Sequence, residues 1–245
     1  MKLIIEKSVV VITPTIGSKK LQDAALSVQN QTYSNLKHLI VVDGTEYFNN
    51  AVENIPFGKD SDIQILPLPY NTGANGFYGH RIYSGIPHLL NADYIFFLDE
   101  DNWYEPDHVS SLVEVLDRGN DFAYSFRKIF NPDKSYVADD NCEALGKWPI
   151  YFSHNDPQYL VDTSSFAFKR EFLEKTCHLW HSGWGGDRRY FYSVLPMNPK
   201  WDTNYKHTLC YRLDGNPGSV DADFFIKGNA EQLKHYNGEL PWLKT

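Results

Sequence analysis

Tyr94-Ile95-Phe96-Phe97-Leu98-Asp99-Glu100-Asp101-Asn102 passes from an unbroken apolar run straight into a cluster of acids. A short continuous apolar run ended by polar residues marks a strand buried on both faces, as in a parallel sheet covered by helices. Upstream, Val9-Val10-Val11-Ile12 within Ser8 to Thr13 has the same character and stops at Pro14 and Gly17. Leu39 to Val42 gives a further strand ending at Asp43-Gly44, and Ile63 to Leu66 another, stopped by Pro67 and Pro69. Between the first two, Leu21, Ala24, Ala25 and Val28 fall at helical spacing, with Ser18 placed to cap them. Downstream, Glu105-Pro106 opens a helix with Val109, Leu112, Val113 and Leu116 on one face.

Strand and helix in alternation imply an α/β fold, a Rossmann-like, mostly parallel sheet flanked by helices. Ligands bind such sheets beyond the carboxyl ends of the strands. That rule selects Thr13 to Gly17, Asp43-Gly44 and Asp99 to Asn102. The second half is less regular. Phe122 to Ile129 and Val161 to Phe168 read as strands, and Asn131 to Tyr159 reads as a long irregular segment.

A bare D-x-D pattern is most often a solvated acidic turn, but its place at the sheet's ligand edge favours chemistry. Asp99 and Asp101 can both reach a hard cation, Mg²⁺ or Mn²⁺, which prefers oxygen ligands and commonly shares them with substrate phosphates. Asp43 suits acceptance of hydrogen bonds from a nucleobase or ribose, and Thr13-Pro14-Thr15 offers backbone groups to the same base. In Asn71-Thr72-Gly73-Ala74-Asn75-Gly76, the glycines allow close backbone approach to a ligand, and a helix starting there would aim its N-terminus at phosphate. Arg81 is placed to pair with a diphosphate or to form an ordinary surface salt bridge.

Composition narrows the alternatives. A net charge of −8 over 245 residues argues against a nucleic-acid groove. It leaves room only for peripheral, locally basic contact with a membrane. The three cysteines, Cys142, Cys177 and Cys210, have neither zinc nor disulfide-framework spacing and fit reduced thiols in a cytoplasmic protein. The run from Met1 to Lys7 is too short for a signal-peptide core, and no 18-residue apolar stretch exists to form a transmembrane helix. Aromatic residues make 15% of the chain, which suits core packing first and stacking on sugars second. No G-x-G-x-x-G follows the first strand and no G-x-S-x-G is present, which argues against a dinucleotide cofactor and a serine hydrolase.

Four segments, Val9 to Thr15, Ser27-Val28-Gln29-Asn30-Gln31-Thr32-Tyr33, Leu39 to Gly44 and Phe96 to Asp101, occur in the order seen in family 2 glycosyltransferases, which this chain resembles. The resemblance is close over residues 8 to 117 and looser over 160 to 215. It implies a GT-A fold in one domain spanning 1–245, with 1–118 as the nucleotide-sugar half and 119–245 as the acceptor half. It further implies an inverting, metal-dependent glycosyltransferase of the kind used in polysaccharide biosynthesis. The donor would be a nucleotide-sugar, most often of uridine, and the acceptor a glycan or lipid-linked saccharide. Asp43 would read the base, although Val42 stands where the family usually has a first acid. Thr13, Pro14, Thr15, Asn71, Gly73, Arg81, Asp99 and Glu100 would complete the nucleotide-sugar site, and Asp101 would hold Mn²⁺ or Mg²⁺.

The family's catalytic base lies in a Glu-Asp pair opening a helix. The matching stretch here is Trp184-Gly185-Gly186-Asp187-Arg188-Arg189-Tyr190, with Gly186 in the place of the Glu. Asp187 keeps the base position, and a helix N-terminus should hold it ionised. Without the resemblance, it reads as a helix N-cap. Trp184 becomes part of the acceptor floor. Asp214 stands where a His often supplies a further metal contact, with His207 as the competing ligand. Trp148, in the irregular stretch with Asp139, Asp140 and His154, is a second expected acceptor contact.

Three other classes compete. A sugar nucleotidyltransferase would share the sheet but needs a Gly-rich basic loop where Thr13 to Ser18 stands. An aspartyl-phosphate phosphatase would carry D-x-D after the first strand. A non-catalytic, GT-A-like sugar-binding or scaffold protein finds support in the missing Glu before Asp187.

Overall fold

A computed structural model describes residues 6–58, 62–215 and 219–243. The elements run β1 (Val9–Thr15), α1 (Leu21–Gln29), β2 (Leu36–Val42), α2 (Phe48–Asn54), β3 (Ile63–Pro67), α3 (His80–Gly85) and β4 (Tyr94–Phe97). Then come β5 (Trp103–Tyr104), α4 (His108–Asp117), β6 (Phe122–Phe130), β7 (Tyr136–Asp139), β8 (Phe166–Lys169), α5 (Arg170–Thr176), α6 (Gly186–Val194), β9 (Trp201–Arg212) and α7 (Ala222–His235). The sheet order is β3-β2-β1-β4-β8-β6-β9-β5, with β7 pairing β6. β3, β2, β1 and β4 are mutually parallel, as the alternation of strand and helix predicts. β8 is antiparallel to both β4 and β6, so one sheet carries strands of both halves of the chain.

Burial explains why these segments are strands. All four residues of β4 are buried, because helices cover both faces of the sheet. On one face, Ala24 and Val28 of α1 and Val109, Leu112, Val113 and Leu116 of α4 pack over Val9, Val11 and Phe96. On the other, Ile82 and Tyr83 of α3, Leu173 of α5, and Tyr190, Phe191 and Val194 of α6 cover Ile12, Ile95 and Phe97. Much of the aromatic surplus sits in that second layer. Trp180 stacks on Tyr190 at 4.5 Å between centroids and meets Phe97 edge-on at 5.5 Å. Core packing is therefore what most of these rings do.

Several elements depart from the sequence reading. Of the expected strand 161–168 only 166–168 pairs in the sheet, as part of β8, which runs on to Lys169. Asp162 accepts from the Ser164 N–H at 2.9 Å and turns Thr163–Ser165 into a 3₁₀ turn instead. The helix expected to open at Glu105-Pro106 starts at His108. The helix expected in the Asn71–Gly76 loop begins only at His80. Long β9 is hard to read from sequence, because Asn204, Lys206 and His207 break any apolar alternation. Its pairing with β6 shifts register near Phe126, and Tyr205 takes a positive φ of 57°. No helix among the described residues is long and apolar enough to cross a membrane.

Candidate active site

Beyond the carboxyl ends of β1, β2, β3 and β4 lies a cavity of about 920 Å³. Pro14 and Thr15 reach it from β1, Asp43 from β2, Asn71 and Gly73 from the segment after β3, and Asp99 to Asn102 from β4. The opposite wall is Trp184 to Arg189, at the start of α6. Arg127, Glu143 and Asp162 come from the irregular half, and Asp214 closes the same space.

Asp43 is first of all a clamp. Its carboxylate accepts from the Thr72 N–H, the Thr72 hydroxyl and the Gly73 N–H, each at 2.7 Å. About three of a carboxylate's four acceptor positions are thus taken, leaving one for anything in the cavity. Gly73 is required here, since a Cβ would lie 2.3 Å from the Tyr78 carbonyl oxygen and 2.9 Å from Asp43 Oδ2. Its own carbonyl accepts from the Phe77 and Tyr78 N–H groups, which closes a tight loop before α3.

The acids after β4 are held one by one. Asp99 Oδ1 accepts from the Tyr83 hydroxyl at 3.0 Å and Oδ2 from the Ser164 hydroxyl at 3.2 Å. Burial, followed by the charges of Asp101 and Asp162, pushes the Asp99 carboxyl up to about 8. Glu100 turns toward β1, taking bonds from the Thr15 hydroxyl and from the Ser18 N–H. Burial also raises Asp101, which has Lys20 Nζ 3.8 Å away. Carboxylates brought together and partly withdrawn from water in this way suit a hard cation, whose charge would offset both penalties. Among the described residues no group of three or more His, Cys, Asp or Glu converges on a metal position. A cation at Asp101 would complete its shell from outside the chain, as Mg²⁺ does with substrate phosphates. Asp214, bonded by the Ser219 hydroxyl at 2.9 Å, lines this cavity. His207 does not; it packs on Phe126, with Asp139 Oδ2 at 4.0 Å.

Asp187 sits in the first turn of α6, where Gly185, left-handed at φ 73°, is the N-cap. Asp187 is thus inside the helix and is not its cap. Its Oδ1 accepts from the Arg188 N–H at 2.7 Å. Burial, and then the Asp162 charge, pushes it up to about 6, so the helix terminus does not hold it as firmly ionised as expected. Gly186, in the place of the family's acid, has a packing reason. A Cβ there would lie 2.5 Å from the His80 ring, whose Nδ1 is 2.9 Å from the Ser182 carbonyl oxygen. The imidazole occupies the space a side chain at 186 would need. Gly186→Ala is therefore expected to destabilise the fold by ~1–3 kcal/mol through overpacking. Adding His80→Ala should restore most of that loss, and thermal melts of the three variants measure the coupling. Additive losses would contradict the interlock.

Three sequence expectations, Thr13, Arg81 and Trp148, are corrected by position. Thr13 is buried within β1, where its hydroxyl is 2.8 Å from His38 Nε2, and it does not reach the cavity. Arg81 donates to the Thr72 carbonyl at 3.2 Å with its guanidinium 3.5 Å from the centre of the Phe77 ring. These contacts hold it under the loop, outside the cavity lining. Trp148, partly buried, packs against Trp242, Phe126 and Tyr205 at the edge of the core and does not line the cavity. Of the two alternatives for a further metal contact, Asp214 lines the cavity and His207 does not. Trp184, by contrast, stands 79% exposed on the cavity rim.

Nothing in the sequence pattern signals the Arg127 cluster. Arg127, buried on β6, donates from Nε to Asp140 at 2.8 Å, from Nη1 to Asp162 at 2.7 Å and from Nη2 to Glu143. Burial disfavours ionised Asp140, but Arg127 and backbone N–H groups bring it below the ordinary carboxylate value. Burial holds Glu143 above its own. Through Asp162 and Ser164 the network reaches Asp99. Arg127→Met should cost about 3–5 kcal/mol, because three carboxylates would lose the charge that pairs them. Urea unfolding at neutral pH tests this, and a loss under about 1 kcal/mol would contradict it.

Comparison with known proteins adds to this geometry. The model of the family described as Glycosyl transferase family 2 matches residues 8–194. An uncharacterized protein of Haemophilus influenzae is 24% identical over 113 residues, covering 39% of this chain and 76% of that protein. Among solved structures, S. aureus TarS 1–349 in complex with UDP-GlcNAc is similar with a TM-score of 0.61 at 13% identity, over 90% of this chain and 64% of that one. The same protein in complex with UDP gives 0.59 at 13% identity, over 94% and 72%. At such identity the likeness is one of fold, and this chain spans less than two thirds of the first of these structures.

Proposed function

We propose that this chain, which belongs to glycosyl transferase family 2, moves a sugar from a UDP-sugar to a hydroxyl of a saccharide acceptor, with inversion at the anomeric carbon. The observation that carries this reading is a single cavity lined by Thr15, Asp43, Asn71 and Asp99 to Asp101 at the strand ends and by Asp187 on α6. Support for uridine comes from the UDP and UDP-GlcNAc held by the similar structures.

In this mechanism the nucleoside lies along Pro14, Thr15 and Asp43, with the Asn71–Gly73 loop, which Asp43 itself fixes, as its side wall. Asp101, with Asp214 as second ligand, would hold a divalent cation, Mn²⁺ or Mg²⁺, whose shell is completed from outside the chain and which would neutralise charge on the departing diphosphate. Asp187 removes the proton from the acceptor hydroxyl as that oxygen attacks. One base and one displacement invert the anomeric centre. Its elevated pKa places Asp187 nearer to the operating pH than an ordinary carboxylate, which favours proton transfer. Trp184 offers an exposed aromatic face to the acceptor. A cytoplasmic setting is part of the proposal, in keeping with three buried, free cysteines.

A thermal-shift panel of UDP-, GDP- and dTDP-sugars, with and without Mn²⁺, tests the donor half. The expected result is stabilisation by a UDP-sugar that grows when Mn²⁺ is added. No shift with any nucleotide-sugar would sink the proposal.

A further inference from the structure

We infer that Arg188 and Arg189 form an anion-reading subsite on the acceptor side of the cavity, so that the acceptor carries a phosphate or carboxylate near its attacking hydroxyl. This rests on the glycosyl-transfer reading above. Both residues follow Asp187 directly on α6 and both line the cavity. Among the described residues neither makes an ion pair, and Arg188 Nε is buried with no hydrogen-bond partner. The other arginines on this cavity are committed. Arg127 is bound by Asp140, Glu143 and Asp162, and Arg212 by Asp23.

Arg188 and Arg189 bring two guanidinium groups outside any ion pair to this cavity, Arg188 lying within electrostatic reach of Asp187 and Glu143. Their planar donor forks match the oxygens of a carboxylate or phosphate. Position decides which substrate they meet. An inverting displacement sets the base on the face of the sugar opposite the departing diphosphate. Side chains next to Asp187 therefore border the acceptor, while the donor phosphates lie toward Asp101. Trp184, 79% exposed, and Tyr192, 41% exposed, stand on the same rim and supply faces for the sugar or polyol part of such an acceptor.

The test is a calorimetric titration of the full chain saturated with UDP and Mn²⁺. The probes are glycerol 3-phosphate against glycerol and glucuronate against glucose. At least one anion is expected to bind ten-fold or more tighter than its neutral partner, and the tighter anion identifies the group recognised. The double variant Arg188→Gln, Arg189→Gln should lose that preference ten-fold and keep its UDP affinity within two-fold. The Lys pair at the same positions should recover part of the preference. A wild-type protein that binds UDP without preferring either anion would overturn this inference alone. So would a Gln pair whose UDP affinity falls in parallel, since the arginines would then read the donor. A wild-type protein that binds neither UDP nor the anions would overturn both this inference and the glycosyl-transfer reading.

Discussion

Asp187→Asn is expected to lower kcat by about 10²–10⁴-fold, the range set by loss of a positioned general base. Donor affinity should be unchanged, because Asp187 is assigned to the acceptor proton and not to the nucleotide. The wild-type rate should rise with pH through about 6 as the carboxyl ionises, and this limb should vanish in the variant. Stability should move differently. Burial makes the protonated carboxyl the favoured form in the fold. That contribution is complete below the unfolded value of 3.8 and is lost as pH rises through about 6. In alkaline buffer the Asn variant should therefore unfold no more readily than the wild type. Steady-state rates from mildly acidic to alkaline pH, beside melting curves, make the comparison. A variant with near-normal turnover and the same acid limb would remove Asp187 from the mechanism.

The second large effect is expected at Asp101. Asp101→Asn keeps the shape and removes the charge assigned to the cation. Charge stabilisation by a bound metal amounts to several kcal/mol, and about 3–4 kcal/mol corresponds to a fall in kcat of ~10²–10³-fold. The diagnostic readout is Mn²⁺ dependence: the wild type should bind a UDP-sugar more tightly with the ion, and the variant should bind it equally weakly with or without. Asp101 is raised by burial and salt-bridged only at 3.8 Å to Lys20, so its neutral replacement should leave the melting temperature nearly unchanged. A variant that retains its metal response would move the cation to other ligands.

These two residues differ in how far the sequence alone reveals them. The acids at 99–101 follow an apolar run whose meaning is local, and the rule that ligands bind at strand ends is enough to place them at the site. β1, β2 and β4 are legible for the same reason: each is largely buried and so reads as continuous apolar sequence, whereas β3 at the sheet edge is only half-buried and is marked by its Ile63, Ile65 and Leu66 and the prolines that stop it. Asp187 lies in a polar helix start that reads equally well as a cap, and only resemblance singles it out. Residues whose roles depend on distant partners stay hidden. Arg127 meets Asp140, Glu143 and Asp162 only after β6 and two loops have folded together. Arg81 looks free for phosphate in the sequence, because neither the Phe77 ring nor the Thr72 carbonyl announces itself as its partner. Trp148 carries the polar neighbours of a glycan site, yet it packs against Trp242, far along the chain, and lies outside the cavity lining. The glycine at 186 looks like a loss of function in the sequence, whereas the His80 ring fills the space that a side chain there would need.

A single inverting displacement on a UDP-sugar has a stereochemical signature that proton NMR reads without knowledge of the natural acceptor. The chain is incubated with α-linked UDP-GlcNAc and Mn²⁺, water standing in for the acceptor, and the anomeric signals are followed before mutarotation. The expected result is release of UDP and a first-formed sugar in the β configuration, both abolished in Asp187→Asn. Release of the α-anomer first, or no Mn²⁺-dependent release of UDP at all, would contradict the mechanism.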